Sequence, residues 1–137
     1  MYTSIKERKS SGINFPSADL FNKCYSTVTN NDYNENEIER AGLTPEKASL
    51  VDAPRIKECF LNLECEYAWE RELSPDSYHM VMCVKILNVV MEEDYYNENK
   101  KGRYGDTGYL YNVRNPINPD NGEETEYHAA TLKIASV

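Results

Sequence analysis

The sequence lacks a long hydrophobic run. Its longest uninterrupted apolar stretch, Met80–Val84, is far shorter than the ~20 residues that a membrane-spanning helix requires. The polar N-terminal segment Met1–Lys9 contains no apolar region of the kind that secretory signals carry. We therefore expect a cytoplasmic protein that has no membrane partner.

Basic residues are also scarce. The 137 residues include 23 acidic and 15 basic side chains, which gives a net charge of −8. Non-specific binding to nucleic acid depends on a basic surface that displaces counterions from the phosphates. The charge therefore disfavours a nucleic-acid partner, although a local basic pocket could still hold a phosphate group.

Motifs for several known chemistries are missing. There is no G-x-G-x-x-G, no P-loop and no G-x-S-x-G sequence. No two cysteines have C-x-x-C spacing, and the only histidines are His79 and His128, so we expect no metal site. The four cysteines are Cys24, Cys59, Cys65 and Cys83. Three of them lie in apolar runs, which predicts buried free thiols. The sequence identifies no catalytic residue.

Two segments carry the strongest signals of β-structure. Across Cys59–Glu70 most odd positions are apolar and most even positions are polar, which predicts a strand with one face on a core. Across Tyr78–Met91 both the odd and the even positions are largely apolar, so both faces of a strand would be apolar. This predicts a central strand or one at an interface. Because the turn residues Ser74–Asp76 lie between them, the two segments should form a long β-hairpin.

The N-terminal part of the sequence is expected to form short helices and a short strand. One or two helical turns are possible between residues 2 and 9, and Gly12–Phe15 is a candidate strand. Ser17 is placed to cap a helix over Ala18–Cys24, in which apolar residues share one face.

Further short elements are predicted on either side of the hairpin. The sequence predicts one helical turn over Glu37–Ala41. The turn ends at Gly42, because the residue after a helix often adopts a left-handed conformation that favours glycine. Thr44 followed by a proline predicts another helix start. Residues 92–137 are polar and rich in turn signals, which predicts a surface arm or extended loop.

Three short motifs follow one another between about residues 4 and 95. They are Glu7–Lys9 followed by Ile13–Ser17, then Ala41–Pro45 followed by Val51–Ile56, and finally Leu63–Cys65 followed by His79. None is specific by itself, but in this order they resemble the flavin-reductase-like family of FMN-binding split-barrel proteins.

The resemblance implies a mainly β fold with short helices, an antiparallel split β-barrel of the FMN-binding type. The family's opening strands have no counterpart here, so the barrel is expected to be N-terminally incomplete. The resemblance further implies one domain over residues 1–137, a homodimer, non-covalently bound FMN, and NAD(P)H as a possible co-substrate. It favours an NAD(P)H:flavin oxidoreductase, and the protein would supply binding and orientation for the flavin's own chemistry.

The resemblance also implies candidate cofactor contacts. Hydroxyl groups near the N-terminus would bind phosphate, an amide would face the flavin, and a histidine would lie near the flavin edge or a nicotinamide. The candidates are Thr3, Ser4, Asn14, Pro16, Ser17 and His79. Two residues depart from the family pattern, since Glu37 stands where many relatives have lysine and Val84 where they often have glycine.

Each candidate has a plainer interpretation. Thr3 and Ser4 could belong to a frayed terminus, Asn14 could form a turn, Ser17 could only cap a helix, and His79 could be structural. The basic residues Lys6, Arg8 and Lys9 suit a phosphate or a solvated helix face.

Three residues of the first predicted strand also have a structural interpretation. Glu64 is expected to be a hydrogen-bond partner, and Tyr67 and Trp69 are expected in core or dimer packing. The alternative to an enzyme is a truncated, non-catalytic split barrel. It would act by pairing an exposed strand edge with another chain.

Overall fold

The computed structural model describes residues 2–28, 35–75, 79–96, 111–113, 116–124 and 129–130. In chain order the elements are α1 (Tyr2–Arg8), β1 (Ser10–Phe15), a 3₁₀ turn (Ala18–Leu20), α2 (Phe21–Ser26), α3 (Glu37–Arg40), β2 (Pro45–Glu46), β3 (Arg55–Ile56), β4 (Leu61–Glu72), β5 (Met80–Met91), a 3₁₀ turn (Glu93–Tyr95), β6 (Tyr111–Asn112) and β7 (Ala129–Ala130). Among these residues no helix is long and apolar enough to cross a membrane.

The chain forms two compact units. The first comprises Met1–Asn14 and Thr44–Glu92, and the second comprises Phe15–Leu43 and Glu93–Val137. The predicted hairpin therefore lies within the first unit, whereas the predicted arm belongs to the second.

The predicted hairpin is confirmed. Strands β4 and β5 pair antiparallel from Leu61 opposite Met91 to Glu72 opposite Met80. Strand β1 lies on the other side of β4, so the order in this sheet is β1-β4-β5. In the described part of the chain β5 has a strand neighbour, β4, on one side. The prediction that β5 is a central strand or one at an interface stays a prediction.

Two irregularities in the hairpin redistribute its side chains between the faces. Between Tyr67 and Trp69 one extra residue of β4 is inserted, because Tyr67 lies opposite Val84 and Trp69 opposite Cys83. Side chains alternate along a strand, so one inserted residue moves those that follow to the other face. Trp69 consequently leaves the face of Tyr67 and is 52% exposed, so its predicted place in the core is wrong.

The core of the first unit lies where β4 begins. Cys59, Phe60 and Cys65 are each at most 2% exposed. Asn62 and Glu64, which occupy the polar even positions of β4, are also buried. The first half of β4 is therefore covered on both faces, although its alternating pattern predicted one. Cys59 and Cys65 are the buried free thiols that the sequence predicts, while Cys24 and Cys83 are half-buried and also free.

The predicted helix start at Thr44 is wrong. Pro45 and Glu46 form a short strand, β2, that pairs with β3. The Thr44 hydroxyl, the group that would cap a helix, instead donates to the carboxylate of Glu58 (2.7 Å). The Thr44 N–H donates to the same carboxylate (3.0 Å). The chain therefore continues in an extended conformation.

The second unit contains the predicted short helices. Helix α2 follows a 3₁₀ turn, so the predicted helix over Ala18–Cys24 is confirmed with a tighter first turn. The α3 turn ends as predicted at Gly42, whose φ of 67° lies in the left-handed region. The predicted turn chemistry of the arm appears near Gly122, which has φ 73° and donates from its N–H to the Asn118 carbonyl (2.8 Å).

Candidate functional site

Asn14 lies at the end of β1 with one half of its amide already engaged. Its Oδ1 accepts a hydrogen bond from the Ile56 N–H (3.1 Å), and Oδ1 of Asn62 accepts from the same N–H (3.3 Å). This contact fixes the amide so that Nδ2 is the donor end. Asn14 is half-buried, and Nδ2 has no hydrogen-bond partner among the residues that the structure describes. One oriented donor therefore remains for a ligand.

Thr3 and Ser4 lie on the first turn of α1, where Thr3 is exposed and Ser4 is half-buried. The next turn of α1 is attached to the second half of β4. Lys6 Nζ lies 2.5 Å from Glu70 Oε1, and the Nζ atoms of Lys6 and Lys9 lie 5.5 and 4.7 Å from the centre of the Tyr67 ring. The basic residues Lys6 and Lys9 thus have partners on β4.

His79 comes directly before β5 and is exposed. Its carbonyl accepts a hydrogen bond from the Leu73 N–H (3.2 Å), which closes the turn end of the hairpin. Asn14 shares its hydrogen bond with Asn62, near the other end of β4. From Asn62 to Glu72, which lies opposite the first residue of β5, the strand runs ten residues, or about 33 Å. His79 and Asn14 therefore lie at opposite ends of the sheet.

Pro16 and Ser17 belong to the second unit. The Ser17 hydroxyl donates to the carboxylate of Asp19, and its side chain makes no capping hydrogen bond, so the predicted side-chain cap is wrong. Its carbonyl instead accepts from the Leu20 N–H (3.1 Å). Pro16 borders a shallow apolar cleft of about 190 Å³, in which the stacked rings of Phe21 and Tyr25 have centroids 5.8 Å apart.

Within the first unit the candidate residues lie in three separate places. Asn14 lies at one end of the main sheet, α1 with Thr3 and Ser4 lies beside the other half of β4, and His79 lies at the turn. Within the described ranges no cluster of His, Cys, Asp and Glu side chains could hold a metal ion.

A buried carboxylate on β4 organises the first unit. Glu64 is fully buried. Its Oε1 accepts from the Ser49 N–H (3.0 Å), its Oε2 accepts from the Leu50 N–H (2.7 Å), and Arg55 Nη1 lies 3.4 Å from Oε1. Glu64 thereby holds the 48–50 loop and β3 against the sheet, which confirms its predicted structural role.

The ionisation of Glu64 should make stability depend on pH. Burial alone raises the pKa of Glu64. The hydrogen bonds from Ser49, Leu50 and the Asn88 side chain, together with the Arg55 charge, outweigh burial and hold this pKa below its ordinary value of 4.5. The charged form therefore stabilises the fold. Its contribution is complete above pH 4.5 and is lost as the pH falls through the lowered pKa.

We expect the urea midpoint of the chain to fall on acidification through this range. Glu64→Gln should flatten this part of the profile, because the variant has no carboxylate to protonate at that position. A profile that is the same in the variant and in the wild type would contradict the assignment.

The chain resembles known proteins in sequence and in structure. No family model matches it. An uncharacterised protein of Aquifex aeolicus (strain VF5) is 38% identical over 63 residues, which cover 46% of this chain and 32% of that protein. The chain thus spans about a third of the length of this relative.

The structural matches cover nearly the whole chain. The flavoredoxin of Desulfovibrio vulgaris (Miyazaki F) matches 99% of it with a TM-score of 0.72 and 20% identity. A protein of Shewanella frigidimarina NCIMB 400, assigned as a flavin reductase with a split barrel domain, matches 99% with a TM-score of 0.67 and 19% identity. This chain spans 66% and 63% of their lengths. The chain has the split-barrel fold of these proteins, mainly antiparallel strands with a few short helices, as its sequence predicts.

Proposed function

We propose that this chain binds FMN and serves a flavin-dependent reduction that uses NAD(P)H. The proposal is supported by the fold, which the chain shares with a flavoredoxin and a flavin reductase. It is supported in this chain by the oriented amide of Asn14. The same proposal places the protein in the cytoplasm and makes it a homodimer.

The residues present suit a flavin at Asn14. A flavin ring offers carbonyl and ring-nitrogen acceptors along one edge, and the Asn14 Nδ2 is a donor whose direction is set by the Ile56 N–H. Thr3 and Ser4 offer hydroxyl donors of the kind that bind phosphate, and Lys9 follows the same helix, with its charge over the Tyr67 ring. When bound, a flavin supplies hydride and electron transfer, so the chain itself has only to bind and orient it.

Replacing Asn14 by alanine should weaken FMN binding about tenfold, the effect of losing about 1.4 kcal/mol of binding free energy. Stability should change little, because the Ile56 N–H still has Asn62 Oδ1 as an acceptor. The measurement is the quenching of FMN fluorescence on titration with each protein, together with urea unfolding.

Asn62→Ala is the matched control for this experiment. Asn62 contacts the same Ile56 N–H but is buried and donates to the Cys59 carbonyl (3.1 Å). Its replacement should lower stability by about 1–3 kcal/mol, the cost of unpaired buried polar groups, while the folded fraction still binds FMN with unchanged affinity. If Asn14→Ala binds FMN as the wild type does, Asn14 is not a flavin contact.

A second function is favoured by the open edge of β5. This strand presents exposed apolar side chains in the described structure, among them Val81, Ile86 and Val89. A non-catalytic protein that acts through dimerisation or partner binding would need such an edge. Oxidation of NAD(P)H in the presence of added FMN separates the two functions, since only the reductase gives turnover above that of free flavin.

A further inference from the structure

Glu64 holds the β2–β3 loop, residues 47–54, near its start and at its end. Its two carboxylate oxygens accept hydrogen bonds from the N–H groups of Ser49 (3.0 Å) and Leu50 (2.7 Å). Nη1 of Arg55, the first residue after the loop, lies 3.4 Å from Glu64 Oε1. One fully buried side chain of β4 therefore sets the place of the loop on the sheet.

The residue after this contact is the one that orients Asn14. Ile56 follows Arg55 directly, and its N–H donates to Asn14 Oδ1 (3.1 Å) and to Asn62 Oδ1 (3.3 Å). Asn62 and Glu64 are two residues apart on β4, before its first irregularity, so their side chains share a face. Because the two hydrogen-bond distances are nearly equal, a small movement of Ile56 toward Asn62 would release Asn14 Oδ1. The direction of the Asn14 amide thus depends on where the loop is held.

The β2–β3 loop also packs closely against β1, the strand that ends near Asn14. A Cβ at Gly12 would lie 2.7 Å from the carbonyl oxygen of Pro54, so the two backbones approach each other as closely as glycine permits. Gly12 and Asn14 are two residues apart on β1. A shift of the loop would therefore act on the strand that carries Asn14 as well as on its hydrogen bond.

We propose that Glu64 is a positioning residue for the flavin, which holds the β2–β3 loop so that the Ile56 N–H keeps the Asn14 amide directed at the ligand. This inference rests on the proposed function, because it concerns the same FMN contact. Glu64 is fully buried and acts through Ile56 and Asn14, not by contact with the flavin. A neutral glutamine could not replace it, since its NH₂ group would face a second donor, a backbone N–H.

FMN titrations at neutral pH test the proposal by a double-mutant cycle. Glu64→Gln should weaken FMN binding about threefold to tenfold, and no more than Asn14→Ala does, because it can at most undo the orientation of Asn14. Asn14→Ala combined with Glu64→Gln should bind within about twofold of Asn14→Ala alone, since changes that act through one contact are not additive. Glu66→Gln, the same substitution at an exposed position of β4, should bind as the wild type does. Additive losses, or an unchanged affinity in Glu64→Gln, would overturn the proposal.

Amide hydrogen exchange in the flavin-free protein separates positioning from overall stability. The reference is the Tyr67 N–H, which donates to the Lys9 carbonyl in the same unit (3.0 Å). In Glu64→Gln the exchange rate of the Ile56 N–H, divided by that of the Tyr67 N–H, should rise at least about tenfold, because the loop opens locally. An unchanged ratio would mean that Glu64 acts only through the stability of the whole unit, which contradicts a positioning role.

Arg55→Lys tests the same contact from its other side if Glu64→Gln does not fold. Arg55 also pairs with Glu46, whose Oε2 lies 2.9 Å from Nη2. A lysine keeps the charge, but its single nitrogen cannot span both carboxylates as the guanidinium does. Arg55→Lys should weaken FMN binding about threefold and add nothing to the effect of Asn14→Ala, and an additive loss would refute the inference.

Failure of this inference and failure of the proposed function give different results. A wild type that binds no FMN removes the proposed function, and the exchange ratio, which needs no flavin, then decides whether Glu64 positions Ile56. A wild type that binds FMN and loses affinity in Asn14→Ala but not in Glu64→Gln keeps the flavin contact and removes the role of Glu64.

Discussion

Glu64→Ala is expected to destabilise the first unit by about 2–4 kcal/mol, a large part of the stability of a small domain. The change removes the acceptors of two backbone N–H groups, those of Ser49 and Leu50. It also leaves a cavity where a fully buried side chain stood, and it deprives Arg55 of one of its two carboxylate neighbours. Urea unfolding followed by circular dichroism measures the loss.

Two further variants show which property of Glu64 matters. Glu64→Gln keeps the shape and one acceptor but removes the charge, so it should cost less than alanine. Glu66→Gln, at an exposed position on the same strand, should change stability by less than about 1 kcal/mol, the usual limit for a surface ion pair. Equal stability of Glu64→Ala and the wild type would mean that this carboxylate does not hold the 48–50 loop.

Gly12→Ala is expected to destabilise the sheet by about 1–3 kcal/mol, the range found for overpacked positions. A Cβ at Gly12 would lie 2.7 Å from the Pro54 carbonyl oxygen, which is backbone and cannot turn away as a side chain can. Strand β1 or the segment before β3 would have to move. Because the displaced contact adjoins the Asn14–Ile56 hydrogen bond, FMN affinity should fall together with stability.

Gly42→Ala is the matched comparison for this variant. Apart from Gly42 itself and its two chain neighbours, no described atom lies within 4 Å of a Cβ at Gly42, but its φ of 67° is left-handed, so the cost should come from backbone strain alone, about 1 kcal/mol. Ser11→Ala, next to Gly12 on β1, controls for changes in strand propensity. If Gly12→Ala proves as stable as Ser11→Ala, the close approach of β1 to Pro54 is not tight in solution.

The hairpin could be predicted from the sequence because its signal is strong and local. Apolar and polar residues alternate over Cys59–Glu70, and apolar residues occupy both odd and even positions of Tyr78–Met91. Both patterns are typical of β-strands. The irregularities could not be predicted, since one inserted residue changes the face of every later side chain without changing the pattern. The exposed Trp69 is the result.

The candidate cofactor contacts stay predictions. Asn14 is half-buried and keeps one amide donor for a ligand, and the sheet holds Asn14 and His79 at opposite ends. The role of Glu64 was predicted, yet its burial was not, because a polar residue in an alternating strand indicates an exposed face. Only the tertiary contacts of the 48–50 loop and Arg55 show that this face is covered.

The most direct test of a flavin-binding function is an equilibrium titration of FMN with the purified wild-type chain, followed by flavin fluorescence. We expect saturable quenching at one FMN per chain, with a dissociation constant in the micromolar range or tighter, which corresponds to at least about 8 kcal/mol of binding free energy. Fluorescence that stays unchanged as protein that is folded by circular dichroism is added to a large excess would contradict flavin binding.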